Sequence, residues 1–425
     1  MQDNEKKPAL RFKGFTDPWE QRKLDEEFDF TVPNNTLSRA ELNQESGSVR
    51  NVHYGDVLIK YGSVLDVQND ELPFITGRSK DDFKGALLQN GDIIIADTAE
   101  DETTGKVCEI VNIQDKDVVA GLHTMVCRPK NKTAEGYFGY YMNSSSYHHQ
   151  LLPLMQGIKV LSLSKTNVQK TTVKYPKDKA EQQKIADCLR RIDTLITLHQ
   201  RKYEKLVNIK KSMLNKMFPP NGASVPEIRF KGFTDPWEQR KLEEYLEVSS
   251  QKNFEGIYTK EDVLSVSGDF GIVNQIEFQG RSFAGASVAN YGVVETGDIV
   301  YTKSPLKSNP YGIIKANKGK NGIVSTLYAV YKPKQSVNPE FVQIYFEQDA
   351  RMNNYMHPLV NKGAKNDMKV SAENALKGQI VFPDIKEQRT ISEFFRNLET
   401  LITLHQRKLE KLQNIKKSCL EKMFV

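Results

Sequence analysis

RFKGFTDPWEQRKL, at residues 11–24, is repeated without a change at residues 229–242. A second repeat closes each half of the chain. DTLITLHQRKYEKLVNIKKSMLNKMF at 193–218 returns as ETLITLHQRKLEKLQNIKKSCLEKMF at 399–424, with 21 of 26 positions identical. A period near 200 residues is far too long for a solenoid, whose units are about 20–50 residues long. The sequence therefore predicts the duplication of a whole module, with one frame around two different interiors.

The two repeats have different offsets, and the difference falls inside the interiors. The opening motif recurs after 218 residues and the closing segment after 206, so the first interior is 12 residues longer than the second. GDIII at 91–95 is echoed by GDIVY at 297–301, and each run predicts a buried strand that begins at a Gly-Asp turn. We expect one mixed α/β (α+β) fold, made twice with different surfaces. The opening motif is then the shared attachment point of each domain and not itself a site.

Apolar residues at the end of each half follow alternating spacings of three and four, which is the heptad pattern of a coiled coil. The pattern predicts two long helices that pack antiparallel, with a pseudo-two-fold relation between the halves. His199 and His405 hold the same seam position. We interpret them as polar residues that fix helix register and not as metal ligands, because no acid or cysteine accompanies them at ligand spacing. The helix seam, which could also dock partners, is Ile185, Leu189, Ile192, Ile196, His199, Leu206, Met213, Ile391, Phe395, Leu398, Ile402, His405 and Leu412.

Size and composition indicate an ordinary cytoplasmic protein. The 425 residues suffice for two to three domains, and no apolar run approaches the ~20 residues of a membrane span. The four cysteines are scattered, which fits a reducing compartment and gives no zinc pattern. The net charge is +6, and the basic residues concentrate in the two predicted helices. That distribution suits either a scaffold near a polyanion or two solvated helix faces.

No catalytic pattern is complete in the sequence. The stretch nearest to a phosphate-binding loop, Thr103-Thr104-Gly105-Lys106, has Glu100 where the first glycine should be. No GxGxxG follows a strand, so no dinucleotide or methyl-donor loop is visible. A nucleophile, a base and an orienting group do not occur together. We therefore expect a non-catalytic chain with no cofactor or metal of its own.

The frame resembles the specificity subunit of type I restriction–modification enzymes, and the resemblance covers essentially the whole chain. It is carried by two copies of a Pro…Glu-Gln…Ile pattern at the entry of a heptad helix, and by the end of the opening motif. The matching residues are Pro176, Glu181, Gln182, Ile185, 193–196, Leu206 and 210–212, then Pro383, Glu387, Gln388, Ile391, 399–402, Leu412 and 416–418, with Trp19, Glu20, Lys23, Leu24, Trp237, Glu238, Lys241 and Leu242.

The resemblance implies two target-recognition domains, each of which reads one half of an asymmetric, bipartite site in double-stranded DNA. The helices would act as a ruler and dock two methyltransferase (modification) subunits, and restriction/translocase subunits would join the complex. S-adenosylmethionine and ATP are then expected in the partner subunits only. The corresponding segments are residues 1–180 (first recognition domain), 181–218 (first long helix), 219–228 (linker), 229–386 (second recognition domain) and 387–425 (second long helix).

Base readout needs polar side chains on loops that reach a groove. Two loop regions qualify in each half: one follows the Gly-Asp-Ile strand, and the other precedes the last strand. The predicted DNA contacts are Thr98, Thr103, Thr104, Lys106, Gln156, Lys159, Ser162, Ser164 and Lys165 in the first half, and Lys303, Ser304, Lys307, Ser308, Asn309, Asn361, Lys362, Lys365, Asn366 and Lys369 in the second.

Two alternatives to a DNA-specificity subunit remain open. One is an assembly scaffold that binds no DNA, whose two divergent domains hold protein partners while the helices act as a spacer. The other is a self-contained methyltransferase–nuclease, which the missing motifs disfavour.

Overall fold

The structure, a computed structural model, describes residues 7–220, 222–303, 309–360 and 370–425. The chain divides into two compact units, residues 1–200 with 407–425 and residues 201–406. Each unit contains one interior domain, the first part of one long helix and the last part of the other.

The first unit is a mixed α/β domain. Its strands are β1 Glu20–Lys23, β2 Phe28–Asp29, β3 Leu42–Asn43, β4 Val49–Val52, β5 Val64–Asp66, β6 Phe74–Ile75, β7 Ile93–Ala96, β8 Thr98–Ala99, β9 Val107–Val111, β10 Asp117–Ala120, β11 Thr124–Pro129, β12 Leu161–Ser162 and β13 Thr172–Tyr175. The main sheets have the strand orders β2-β11-β7-β9-β5 and β10-β4-β6-β3, and two smaller sheets pair β1 with β13 and β8 with β12. Its short helices are α1 Leu24–Glu27, α2 Tyr54–Ile59, α3 Tyr137–Met142, α4 Ser145–His148 and α5 Lys165–Gln169, and the long helix α6 spans Lys179–Lys216.

The second unit is also a mixed α/β domain. Its strands are β14 Glu238–Lys241, β15 Leu246–Val248, β16 Leu264–Ser267, β17 Gly271–Asn274, β18 Gly292–Val294, β19 Ile299–Thr302, β20 Ile314–Ala316, β21 Gly322–Val324, β22 Tyr328–Pro333 and β23 Gln379–Phe382. The smaller main sheet has the order β15-β22-β19-β20, and β14-β23, β16-β17 and β18-β21 form separate two-stranded sheets. Its helices are α7 Gln275–Gln279, α8 Pro339–Tyr345, α9 Asp349–Met356 and α10 Ile385–Lys422. The mixed α/β class that the sequence predicts is confirmed.

The Gly-Asp turn before each central strand is built in the same way in both units. In the first, buried Asp92 accepts from the N–H of Gln89 at 2.7 Å and from Arg128 at 2.6 Å. In the second, Asp298 accepts from the N–H of Glu295 at 2.7 Å and from Lys332 at 2.9 Å. Each carboxylate thus closes the turn and ties β7 to β11, or β19 to β22, through a cation on the neighbouring strand.

The opening repeat clamps the first turn of each long helix. Arg11 donates to both carboxylate oxygens of Glu181 at 2.6 and 2.8 Å, and Arg229 does the same to Glu387 at 2.7 and 2.7 Å. Both carboxylates are buried. The end of the repeat then forms a strand against the last strand of its domain, with Glu20 opposite Tyr175 in the first unit. The same letters therefore make the same attachment twice, with each domain held to its helix by a buried ion pair and a strand pair.

Both long helices begin slightly earlier than the sequence predicts. The carboxylate of Asp178 accepts from the N–H of Ala180 at 2.8 Å, and that of Asp384 accepts from the N–H of Lys386 at 2.7 Å. Because these aspartates satisfy N–H groups that lack a partner in the first turn, helix α6 begins at Lys179 and α10 at Ile385.

The two long helices pack together antiparallel, and one equivalent ion pair joins them within each unit. In the first unit Lys416 of α10 contacts Asp193 of α6 at 2.6 Å. In the second, Lys210 of α6 contacts Glu399 of α10 at 2.6 Å. Both lysines interrupt the apolar seam at the same place in the heptad pattern, so a polar residue with a charged partner sets helix register in each unit.

Apolar side chains on and beside the long helices belong to the core of each unit. The core of the first unit joins Leu189 to Met423, and that of the second joins Met217 to Phe395. Of the predicted seam, Ile185, Leu189, Ile192, Ile391, Phe395, Leu398 and Ile402 are buried, and Ile196, His199, Leu206, Met213, His405 and Leu412 are half-buried. No predicted seam residue is fully exposed.

One buried acid predicts a pH dependence of stability in the first unit. Glu109 accepts from the backbone N–H groups of Gly136 and Gly139 at 2.6 and 2.9 Å, and burial raises its pKa to about 7. The native state therefore holds this proton more tightly than the unfolded chain, whose carboxyl titrates near its usual 4.5. The stability that the protonated carboxyl contributes is complete below about pH 4.5 and is lost as the pH rises through about 7.

Glu109→Gln is neutral throughout this range, so its urea midpoint is expected to depend less on pH than that of the unchanged protein. The difference in unfolding free energy between about pH 5 and about pH 8 should shrink by up to about 3 kcal/mol. Urea unfolding followed by circular dichroism at the two pH values measures it. An equally steep pH dependence in the variant would show that another group carries the effect.

Candidate nucleic-acid interface

The structure brings together the two loop regions that the sequence selects in the first half. Strand β8 follows β7 and pairs antiparallel with β12, so that Thr98 lies opposite Ser162. The N–H of Leu163 also donates to the carbonyl of Asp97 at 2.8 Å. Loops far apart in sequence thus share one surface. We call it the first reader face, and it consists of Thr98, Gln156, Lys159, Ser162, Ser164 and Lys165.

A β-hairpin is the most exposed part of the first reader face. Gln156 and Ser162 exchange two backbone hydrogen bonds of 3.0 and 2.8 Å that close it. Gly157 in its turn has a φ of +121°, and a Cβ there would lie 1.9 Å from the carbonyl oxygen of Val160, so a side chain does not fit. Ile158 at the tip is completely exposed, and Lys159 beside it is exposed as well. The tip therefore presents an apolar group and a cation to solvent.

Three members of the face have local partners that hold them in place. The hydroxyl of Thr98 donates to Asp97 at 2.7 Å. That of Ser164 accepts from the N–H of Asn167 at 3.3 Å at the start of α5. The ammonium of Lys165 donates to a backbone carbonyl. A hydroxyl has two acceptor lone pairs and an ammonium has three protons, so each side chain keeps capacity for a ligand.

Three other predicted contacts of the first half do not face a ligand. Thr104 is buried, and its hydroxyl donates to the carbonyl of Asp101 at 2.9 Å. The ammonium of Lys106 donates to the carbonyl of Leu58 at 2.6 Å, and burial lowers its pKa. Thr103 is exposed but donates to the carboxylate of Asp101 in an acidic loop, which repels phosphate. Thr103, Thr104 and Lys106 therefore do not belong to the first reader face.

In the second half, most of the predicted contacts fall outside the described residues. Lys303 is half-buried and donates to the carbonyl of Thr326 at 2.8 Å, and burial lowers the pKa of its ammonium. Asn309 is buried. The members outside the described residues are Ser304, Lys307, Ser308, Asn361, Lys362, Lys365, Asn366 and Lys369.

His123 lies beside the first reader face and is not among the DNA contacts that the sequence predicts. Its Nδ1 is 3.4 Å from the Asp97 carboxylate, and the hydroxyl of Thr98 is 3.5 Å from the same ring nitrogen. A histidine in a short turn between two strands matches no motif. The signal that marks it is a backbone φ of +53°, and sequence letters do not reveal that angle.

Within the described ranges, no three His, Cys, Asp or Glu side chains are grouped in a way that could hold a metal ion. The cysteines Cys108, Cys127, Cys188 and Cys419 are free thiols. No helix in the described part of the chain combines the length and the apolar character that crossing a membrane requires.

Taken together, the duplicated frame, the divergent interior domains and the paired long helices define a fold in which one attachment is used for two different domains. Residues 16–208 match the family described as the type I restriction modification DNA specificity domain. A protein described as the type I restriction enzyme MjaX specificity subunit of Methanocaldococcus jannaschii is 22% identical over 367 residues, which cover 82% of this chain and 80% of the relative.

One solved structure shows the same fold over nearly the whole length. A type I restriction–modification S subunit from M. genitalium has a TM-score of 0.58 and 14% identity, with 99% of each chain covered. An HsdS subunit from Thermoanaerobacter tengcongensis aligns over 96% of each chain at 16% identity, with a TM-score of 0.42. The chain is therefore similar to type I restriction–modification specificity subunits, by the family match over residues 16–208 and by the relative that covers most of its length.

Proposed function

We propose that this chain directs a type I complex to one asymmetric, two-part DNA sequence, and that each interior domain reads one half of it. One observation carries the proposal. The same Arg–Glu ion pair and the same strand pair attach each domain to its long helix, while the loops that the sequence predicts to contact DNA differ between the two domains. Because the frame is repeated, each domain is attached to its long helix by the same contacts. Different loops on the two domains then predict different half-sites. Identical domains would predict a palindrome.

The DNA contact in the first half-site comes from the first reader face. Its hydroxyl and amide groups can bond to base edges, and its lysines can contact phosphate. The basic residues of the chain concentrate in the long helices, so the interior domains attract phosphate weakly on their own. Much of the affinity would therefore come from partner subunits that close around the DNA.

The long helices would set the distance between the half-sites. Each is a continuous helix of 38 residues, which spans ~57 Å at 1.5 Å per residue. One ion pair between the helices in each unit fixes their register and resists sliding of one helix along the other. A rigid element of fixed length suits half-sites with a fixed spacer, because B-DNA repeats about every 34–36 Å.

The helices would also dock two methyltransferase subunits, which bind S-adenosylmethionine, while the restriction/translocase subunits bind ATP. The exposed leucines support this docking. Leu195 and Leu198 of α6 are 43% and 45% exposed, and their equivalents Leu401 and Leu404 of α10 are 45% and 44% exposed. Two equivalent apolar patches on this chain suit two copies of one partner, because each patch can bind the same surface of a methyltransferase subunit.

Removing one apolar patch is expected to remove one partner copy. The double change Leu195→Asp and Leu198→Asp places two charges where an apolar contact would form, at little cost to the free chain because both sites are exposed. Native mass spectrometry with the cognate methyltransferase subunit should show one bound copy in place of two. Leu401→Asp with Leu404→Asp should give the same result, and the pair Glu204→Gln with Lys205→Gln on the solvent side of α6 is the control. Two bound copies in every variant would place the docking surface elsewhere.

Methylome sequencing of a strain with and without the gene tests the proposed function itself. We expect one asymmetric, two-part adenine-methylation motif to disappear with the gene. If no motif disappears while the methyltransferase subunit is expressed, the chain would be the scaffold without DNA contact that the sequence also allows. The exposed phenylalanines of the second unit, such as Phe270 at 67%, would then mark a protein-binding surface.

A further inference from the structure

His123 lies in a turn whose backbone conformation is unfavourable for a histidine. The turn joins β10 to β11, and His123 has a φ of +53°, in the left-handed region that side chains rarely adopt. Glycine adopts this region without strain, whereas a histidine there costs free energy. Such residues cluster at functional sites, where the surrounding structure holds them in place. We therefore expect the side chain of His123 to have a function that outweighs this backbone strain.

The side chain of His123 is held at the surface by specific partners. Its Nδ1 is 3.4 Å from the carboxylate of Asp97, and the side chain is 47% exposed. The ring of Tyr54 meets it edge-on, with 5.3 Å between the ring centroids. The hydroxyl of Thr98 donates to the same carboxylate at 2.7 Å and orients it. Asp97 thus favours the proton on Nδ1, which leaves Nε2 as the outward hydrogen-bonding atom.

The Nε2 atom has no hydrogen-bond partner in the described part of the chain, and backbone hydrogen bonds place it next to the first reader face. The N–H of Asp97 donates to the carbonyl of His123 at 3.1 Å, and the carbonyl of Asp97 accepts from the N–H of Leu163. His123 is therefore fixed through backbone hydrogen bonds beside Thr98 and Ser162, the centre of the first reader face. An oriented ring nitrogen next to the predicted contacts has the features of a base-reading group.

We propose that His123 reads one base pair of the half-site recognised by the first domain, through a hydrogen bond from or to Nε2, and that Asp97 is its positioning residue. This inference rests on the proposed function of the chain. Base edges in a groove present both donors and acceptors, so a ring nitrogen held at a fixed place discriminates between them. A contact of His123 with phosphate would instead strengthen binding to every sequence equally.

The test uses the full chain with its cognate methyltransferase subunits and S-adenosylmethionine. The substrates are a set of duplexes in which each base pair of the motif is replaced in turn, and methylation rates are measured for the unchanged protein and for His123→Gly. Glycine suits the left-handed backbone, so this variant removes the imidazole without straining the turn. Its unfolding midpoint should not fall.

The expected result is loss of discrimination at one position of one half-site, by about tenfold, with the other positions unchanged. Asp97→Asn should weaken discrimination at the same position, because an amide no longer favours the proton on Nδ1. His149→Ala, which removes another exposed histidine of the first domain, should change no position. If His123→Gly proves unstable, His123→Asn provides the same comparison, because asparagine also tolerates a positive φ.

Two results would overturn the inference. Unchanged discrimination at every position would show that His123 contacts no base, and an equal loss on all sequences would show a phosphate contact. Absence of any sequence preference in the unchanged protein would instead overturn the proposed function, and the role of His123 with it. The outcomes are distinguishable because only the last one involves the unchanged protein.

Discussion

Replacing Arg229 by alanine is expected to lower the free energy of unfolding of the second unit by about 3 kcal/mol or more. The guanidinium donates two hydrogen bonds to Glu387, and the two side chains are 12% and 1% exposed. Alanine leaves a buried carboxylate without its cation, and an uncompensated buried charge is costly. Urea unfolding of the full chain, followed by circular dichroism, measures the loss.

Arg240→Ala is the matched control, because it removes the same side chain from an exposed pair. Arg240 contacts Glu238 at the surface with 49% of its side chain exposed, and solvent screens such pairs so that they contribute little to stability. The double change Arg229→Met with Glu387→Leu should recover most of the loss, since it removes both charges together. Equal midpoints for Arg229→Ala and Arg240→Ala would mean that the clamp does not hold the second domain to its helix.

Lengthening both helices by four residues is expected to change the spacer of the recognised DNA and neither half-site. Insertions after Arg201 and after Arg407 occupy equivalent places in the repeat and leave the pairs Lys416–Asp193 and Lys210–Glu399 intact. Four residues add ~6 Å of helix. At about 3.4 Å per base pair, the spacer should grow by about two base pairs. Methylome sequencing of the variant reads the spacer directly.

Substituting four existing exposed residues at the same places, without a change in length, is the control and should leave the motif unchanged. A variant that still methylates the original spacer would show that the helices do not set the distance. A changed half-site sequence would show that the helices take part in base readout.

The sequence predicted the frame well because the frame depends on local patterns. Heptad spacing and the Pro…Glu-Gln…Ile entry identify α6 and α10, and an unbroken repeat identifies the shared attachment. The ion-pair partners of Lys210 and Lys416 were not predictable, because an ion pair between the two helices depends on which residue of one helix lies opposite each residue of the other.

The reader face was less predictable because burial is a property of the folded chain. Thr98 and Thr104 are both polar residues after the same strand, yet Thr98 is half-buried and Thr104 is fully buried. The pairing of β8 with β12 decides this, and it joins segments that no local pattern connects. His123 was missed for a related reason, because a left-handed backbone is set by the strands on either side of it.

A chain with two copies of its first half tests the central claim most directly. Replacing residues 229–424 by a second copy of residues 11–218 keeps the attachment motif, the clamp and the closing helix in both halves, but makes the two readers identical. Expressed with the cognate methyltransferase subunit, this chain is expected to methylate adenine in a palindrome that consists of one half of the natural motif and its inverted copy. An asymmetric motif, or a motif that still contains the other natural half-site, would contradict two independent readers on one repeated frame.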